Sequence, residues 1–230
     1  MPTKLGSGID TDFFDPHCLS RGSFRRDLSI SEQSRLILVP ARVTFSKGHD
    51  TLVGAMKLLQ RKDCLKDTIV VFAGEESQPY AQALRSDITH AEWEGTRYVF
   101  VGPLNQERLR AAYADADLVV LPSYSEAIPR VVLEAQAMGC FVVATDVGGT
   151  AEAMLNGETG LLIPPKDEIA LADAILRALR GDFFSPHFSH KARQFIVDEY
   201  SLDHLAERHE VFYLRAIGME VKPRTTIKAS

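Results

Sequence analysis

The feature that most restricts this chain is an alternation. Six short apolar runs, RLILVPA (35–41), TIVVFAG (68–74), YVFVG (98–102), DLVVLPS (117–123), CFVVATD (140–146) and TGLLIP (159–164), are separated by longer stretches with apolar residues at helical spacing. The clearest of these stretches are HDTLVGAMKLLQ (49–60), NQERLRAAYADA (105–116), PRVVLEAQAMG (129–139) and DEIALADAILRALRG (167–181), with weaker ones at 78–88 and 148–157. Short runs without polar alternation suit strands buried on both faces, and the helices between them supply the crossovers that parallel strands require. The expected fold is α/β: a Rossmann-like doubly wound parallel sheet of five or six strands over residues 35–181. Residues 1–34 hold no periodic element and are rich in Gly, Asp, Ser and Pro, the composition of an entry linker and not of a core. SHKARQFIVDEYS (189–201) and LDHLAERHEVFYLRAIG (202–218) read as extra helices in a C-terminal unit at 182–218, followed by a frayed tail at 219–230.

Doubly wound sheets bind ligands beyond the carboxyl ends of their strands. The first such loop, ARVTFSKGH, supplies Arg42, Lys47 and Gly48; the third, VGPLNQ, begins at Val101; the fourth, PSYSEAIPR, supplies Glu126 and a proline. Arg42 offers a planar fork and Lys47 a mobile point charge, a combination suited to a diphosphate. Pro129 fits the first position of a helix, where a missing N–H costs nothing. The free amides around Ile128, Arg130 and Val131 then favour an anion. Glu126 precedes that helix and Glu134 lies more than a turn inside it. A carboxylate accepts hydrogen bonds from neighbouring hydroxyls, so carboxylates on either side of a phosphate site fit a nucleotide sugar.

Each residue taken singly has an ordinary reading. A lysine or arginine near a strand end is usually a solvated charge, Glu126 can serve the helix N-terminus, Glu134 can be a surface helix residue, and Gly148-Gly149 can simply turn the chain. No Gly-x-Gly-x-x-Gly follows the first run, which argues against a dinucleotide site of the usual kind. His187 and His190 have no further metal ligand beside them and read as surface residues.

The ordered set of motifs resembles a known family. PSYSEAIPRVVLEAQAMGCFVVATDVGGTAEAMLNGETGLLIPP (122–165), with its Glu-x7-Glu spacing from Glu126 to Glu134, is similar to the signature of retaining GT-B glycosyltransferases of family 4, also grouped as glycosyl transferases group 1. Arg42 and Lys47-Gly48, FVGPL (100–104), AYADADLVVLPS and GSGIDTDFFDP (6–16) extend the likeness from about residue 6 to about 215. The resemblance implies one half of a GT-B fold that binds a UDP-, GDP- or ADP-linked sugar and transfers its hexosyl group with retention. Arg42 and Lys47 would stabilise the leaving diphosphate and Glu126 would contact the hexose. Glu134 would hold the ribose; Ala127, Ile128, Pro129, Arg130 and Val131 would line the phosphate and sugar site, and Val101, Gly102 and Leu104 the base pocket. No cofactor or metal is expected, the cations taking its place.

The chain departs from the family pattern in two ways. Ala127-Ile128-Pro129 stands where many members have Gly-Phe-Gly, closer to the Glu-Gly-Ile-Pro-Arg variant of bacterial polysaccharide and lipopolysaccharide transferases. The chain also opens at the interdomain linker. Acceptor recognition is therefore expected from an absent N-terminal domain or a partner chain, with residues 202–218 exposing an apolar face toward it. A binding-only subunit, a truncated inactive product and a two-domain sugar-nucleotide epimerase are the competing classes.

Composition narrows the setting. A formal net charge of −5 argues against a general nucleic-acid binder. Three dispersed cysteines, Cys18, Cys64 and Cys140, point to a reducing compartment without a disulfide framework. No signal-like stretch and no run of the ~20 apolar residues needed to span a bilayer is present. The chain reads as cytoplasmic, with any contact at the inner face of a membrane made through the other half.

Overall fold

The computed structural model describes residues 7–61, 65–91, 95–182 and 186–219. Cys64, the first six residues and the expected tail beyond residue 219 lie outside the described residues. A parallel sheet runs in the order β3-β2-β1-β4-β5-β6, built from β1 (Arg35–Val39), β2 (Thr68–Phe72), β3 (Thr96–Phe100), β4 (Leu118–Leu121), β5 (Val142–Thr145) and β6 (Leu161–Ile163). In the register, Ile37 lies opposite Val70 on one side and Leu118 on the other. The helices are α1 (Ser23–Asp27), α2 (His49–Gln60), α3 (Tyr80–His90), α4 (Gln106–Asp115), α5 (Arg130–Ala137), α6 (Glu168–Leu179), α7 (Pro186–Tyr200) and α8 (Leu202–Ala216).

Strand side chains divide between two cores. Leu36, Leu38, Val119 and Leu121 join residues of α1, α4, α5 and α7 on one face. Ile37, Val39, Val70 and Phe72 join residues of α2, α3 and α6 on the other. Burial of both faces explains why the strand sequences show no polar alternation. Helix starts follow local chemistry: Asn105, Asp167 and Ser201 each accept a hydrogen bond from the amide three residues on. The expected Rossmann-like doubly wound sheet is thus the observed one.

Three sequence readings are corrected. Residues 148–157 form no α-helix; only a 3-10 turn, Thr150–Glu152, is present there. The C-terminal stretch is not one separate unit, because its first helix, α7, packs on α5 and buries Ala192, Ile196 and Tyr200.

The largest correction concerns residues 7–34, which are not linker. Ile9, Phe14, Phe24 and Ile30 are buried in the core, each such burial contributing about 1.5–3 kcal/mol. The Asp115 carboxylate accepts the amides of Gly22 and Arg25, and the Arg25 guanidinium donates to Asp117 at 2.7 Å. At the segment's start, the Ile9 amide donates to Tyr200 O at 2.7 Å, and the Leu202 amide to Ile9 O at 3.1 Å. Among its described residues α8 buries none, and Leu202, Phe212, Tyr213 and the following Ile217 are exposed.

Candidate functional site

The strand order reverses between β1 and β4. The chain leaves β1 toward β2 on one side and β4 toward β5 on the other, which opens a crevice at their carboxyl ends. Two loops face each other across it. The β1 loop makes a 3-10 turn, Phe45–Lys47, and Gly48 then starts α2 in the left-handed region at φ 63°. A Cβ on Gly48 would collide with the Pro122 carbonyl, and the Tyr124 amide donates to Ser46 O at 2.8 Å. The two loops therefore touch through backbone, and only glycine fits at position 48.

This contact brings together residues 79 positions apart: Lys47 Nζ donates to Glu126 Oε1 at 2.6 Å, and Ser123 Oγ donates to the same oxygen at 2.6 Å. Lys47 and Glu126 are mostly buried, their side chains 19% and 10% exposed. Arg42 stands exposed on the same loop, with no ion-pair partner among the described residues. Gly148, at φ 55°, lies so close to Glu126 O that a Cβ would collide with it, and the Gly149 amide donates to Ala127 O at 2.6 Å. The glycine pair thus braces the Glu126–Ala127 backbone from the β5 side.

Pro129 is the N-cap of α5, so the helix begins one residue later than the sequence suggested, and Pro129 provides no side-chain cap. The amides of Arg130 and Val131 in the first turn are consequently without helical partners. With the N-terminus of α2, they turn two helix-dipole positive ends toward the crevice. Ala127 is exposed there, and Ile128 and Val131 are half-buried.

Glu134 is not a surface residue. It is 6% exposed, and burial pushes its carboxyl above the ordinary range, opposed by the Arg130 charge and a hydrogen bond from Tyr113. Tyr113 Oη donates to Glu134 Oε2 at 3.2 Å, whereas Arg130 Nε stands 3.8 Å from Oε1. Arg130 also reaches Gly8 O at 3.3 Å.

Val101, Gly102 and Leu104 are not part of this cluster. They follow the edge strand β3, two strands from β1 and hence roughly 10 Å away along the sheet. The Val101 amide is used in bonding Phe72 O, and Gly102 adopts φ 70° in open space.

Several neighbours escaped the sequence reading. Ser123 could have been found, since it stands three residues before Glu126. Asp50, which accepts the hydroxyls of Tyr80 and Tyr124 at 2.7 and 2.8 Å, and Tyr113 carried no local signal. A cavity of about 640 Å³ at the opposite pole, lined by Arg21, Cys140, Phe188 and His190, contains none of the expected residues. Burial pushes the Cys140 thiol there up to about 12. Among the described residues no group of three or more His, Cys, Asp or Glu is placed to hold a metal, and no helix is long and apolar enough to cross a membrane.

Sheet order and helical layers together define a domain of the doubly wound α/β class. Within that class the chain belongs to the glycosyl transferases group 1 family, whose model matches residues 20–195. A D-inositol 3-phosphate glycosyltransferase of Xylanimonas cellulosilytica is 35% identical over 76% of this chain and 42% of its own length. A glycosyltransferase structure from Rickettsia africae superposes with a TM-score of 0.82 at 23% identity, covering 94% of this chain and 57% of that one. Alr3699/HepE from Anabaena, solved with UDP-glucose, superposes at 0.76 with 22% identity over 90% of this chain and 56% of its own. The chain spans about half the length of the curated relatives it matches.

Proposed function

We propose that this chain is the nucleotide-sugar-binding half of a retaining family 4 GT-B glycosyltransferase, transferring a hexosyl group from a nucleoside diphosphate to an acceptor. The observation that carries this reading is the junction of the Lys47 loop with the Glu126–Val131 segment at the strand-order reversal. Solved neighbours of the same fold hold UDP and UDP-glucose, which supports a nucleotide sugar as the ligand.

The diphosphate lies between Arg42, Lys47 and the α5 amides, where fixed positive charge matches the charge that develops on the leaving group. As the anomeric C–O bond to phosphate breaks, the acceptor oxygen bonds to the same face of that carbon, and its proton passes to the departing phosphate oxygen. Glu126 contacts the hexose, Glu134 the ribose hydroxyls, and the loop from Val101 to Leu104 the base. With two side-chain cations and two helix ends, charge neutralisation requires no metal or other cofactor.

Acceptor recognition belongs to a second half, joined in one polypeptide or supplied by a partner chain. The setting we infer is cytoplasmic assembly of an envelope polysaccharide, with any membrane contact made through that half. Calorimetric titration of the purified chain with UDP, GDP and ADP, and then their sugars, tests the reading. One nucleoside diphosphate should bind selectively and lose affinity on Lys47→Ala; a folded chain that binds none of them would refute it.

A further inference from the structure

The Tyr113 hydroxyl lies against the Glu134 carboxylate from beneath, and we propose that it is the positioning residue that keeps this carboxylate ionised and aimed at the ribose. The inference rests on the donor-site reading above.

A glutamate in the middle of a buried helix face needs compensation, because a carboxylate removed from water without a hydrogen bond reverts to its neutral form. Among the described residues two groups face it. Arg130, on the same helix, stands 3.8 Å from Oε1, is half-exposed, and also bonds Gly8 O. Tyr113, from α4, is 1% exposed and donates to Oε2 at 3.2 Å. The Val131 carbonyl lies 3.3 Å from the same hydroxyl. One proton therefore faces two acceptors, and the anionic oxygen draws it more strongly. Oε2 is thus occupied from the core side, while Oε1 has no hydrogen bond within normal length and is left to accept a hydroxyl from outside.

Tyr113 cannot easily leave this position. Its ring packs edge-on against Phe14 at 6.3 Å, and its carbonyl accepts the Cys140 thiol at 3.2 Å. Burial also raises its phenol well above the ordinary value, so it stays protonated and donates wherever the protein is folded.

The experiment compares wild type, Tyr113→Phe, Glu134→Gln and the double variant by calorimetry across an acid pH series, using whichever of UDP, GDP and ADP binds tightest. Losing one hydrogen bond to a charged group should weaken binding roughly tenfold near neutrality in Tyr113→Phe. The acid limb of the affinity profile should also move to higher pH, because the carboxyl loses the donor that favours its ionised form. In the Glu134→Gln background the added Phe should leave the profile unchanged. An unshifted limb in Tyr113→Phe, whether affinity is preserved or lowered equally at every pH, would overturn the proposal while leaving the donor site intact. Wild-type affinity in Glu134→Gln would instead sink the donor-site reading on which it rests.

Discussion

Replacing Glu126 by glutamine should tighten nucleoside diphosphate binding even though Glu126 belongs to the proposed donor site. The Lys47 ammonium is held by Glu126 at 2.6 Å, in a pair whose side chains are 19% and 10% exposed. An incoming diphosphate must share that cation with a carboxylate and tolerate the carboxylate's own charge. A charge-assisted hydrogen bond with this little exposure is worth about 1–2 kcal/mol, above the range of a solvated ion pair. Glutamine keeps the shape and can still accept the Ser123 hydroxyl, now 2.6 Å from Oε1, but releases the ammonium. The dissociation constant for UDP should fall roughly 5- to 30-fold. On the proposed donor-site reading the gain should be smaller for a UDP-hexose, whose sugar would lose its contact with the carboxylate, and transfer to an acceptor by the chain joined to the proposed acceptor half should decrease. Calorimetry with both ligands measures the two terms. Weaker UDP binding in Glu126→Gln would show that the carboxylate supports the cation and does not compete for it, and the reasoning would be wrong.

Gly48→Ala should be destabilising by about 2–4 kcal/mol, combining the left-handed backbone cost with collision against the Pro122 carbonyl. That corresponds to a fall of roughly 5–15 °C in melting temperature, with loss of nucleotide binding; an unchanged melt would refute the close approach of the two loops. Glu134→Gln should melt higher than wild type at about pH 7.5 and converge with it near pH 4. The sign follows from burial, which raises the folded-state value: the group's favourable contribution is complete below its unfolded value and is lost as pH rises through the folded one. The reverse sign applies to His49, fully buried and lowered from 6.5 to about 4 by desolvation. Stability should fall as pH drops from 6.5 toward about 4, by up to about 3 kcal/mol. Denaturant melts of His49→Leu should show a flatter dependence across that window, and an identical slope would exclude the histidine as its source.

The strands were legible because burial on both faces leaves uninterrupted apolar runs such as 35–39 and 68–72. Their ends were read one or two residues long, since proline and alanine continue the apolar character past the last ladder bond. The crevice was legible for a topological reason: in a parallel sheet the residues just after β1 and β4 have to emerge at the same pole. What escaped was tertiary. Phe14 and Phe24 lie in a stretch without period, and they are buried because Gly22 and Arg25 bond a carboxylate about ninety residues away. Glu134 looked as though it could be exposed because nothing in its own helix shows Tyr113 arriving from α4. Gly148-Gly149 suggested a turn; their close packing on the Glu126 backbone depends on a loop twenty residues upstream.

The central position of β1 has a consequence for dissecting the molecule. A break at Pro103, after β3, would leave three strands in each piece. The first would carry Arg42 and Lys47, and the second Glu126 and Glu134. The seam between the pieces comprises the β1–β4 ladder, where Ile37 meets Leu118 and Leu38 meets Val119, and the packing of α2 on α6 and α1 on α4, and it is clasped by Arg25 against Asp115 and Asp117. Neither piece holds the whole of the proposed anion site, so the nucleotide binding proposed for it would appear only on reassembly. Strand order thus makes this domain a candidate two-fragment sensor, in which a small-molecule signal reports that the halves have met.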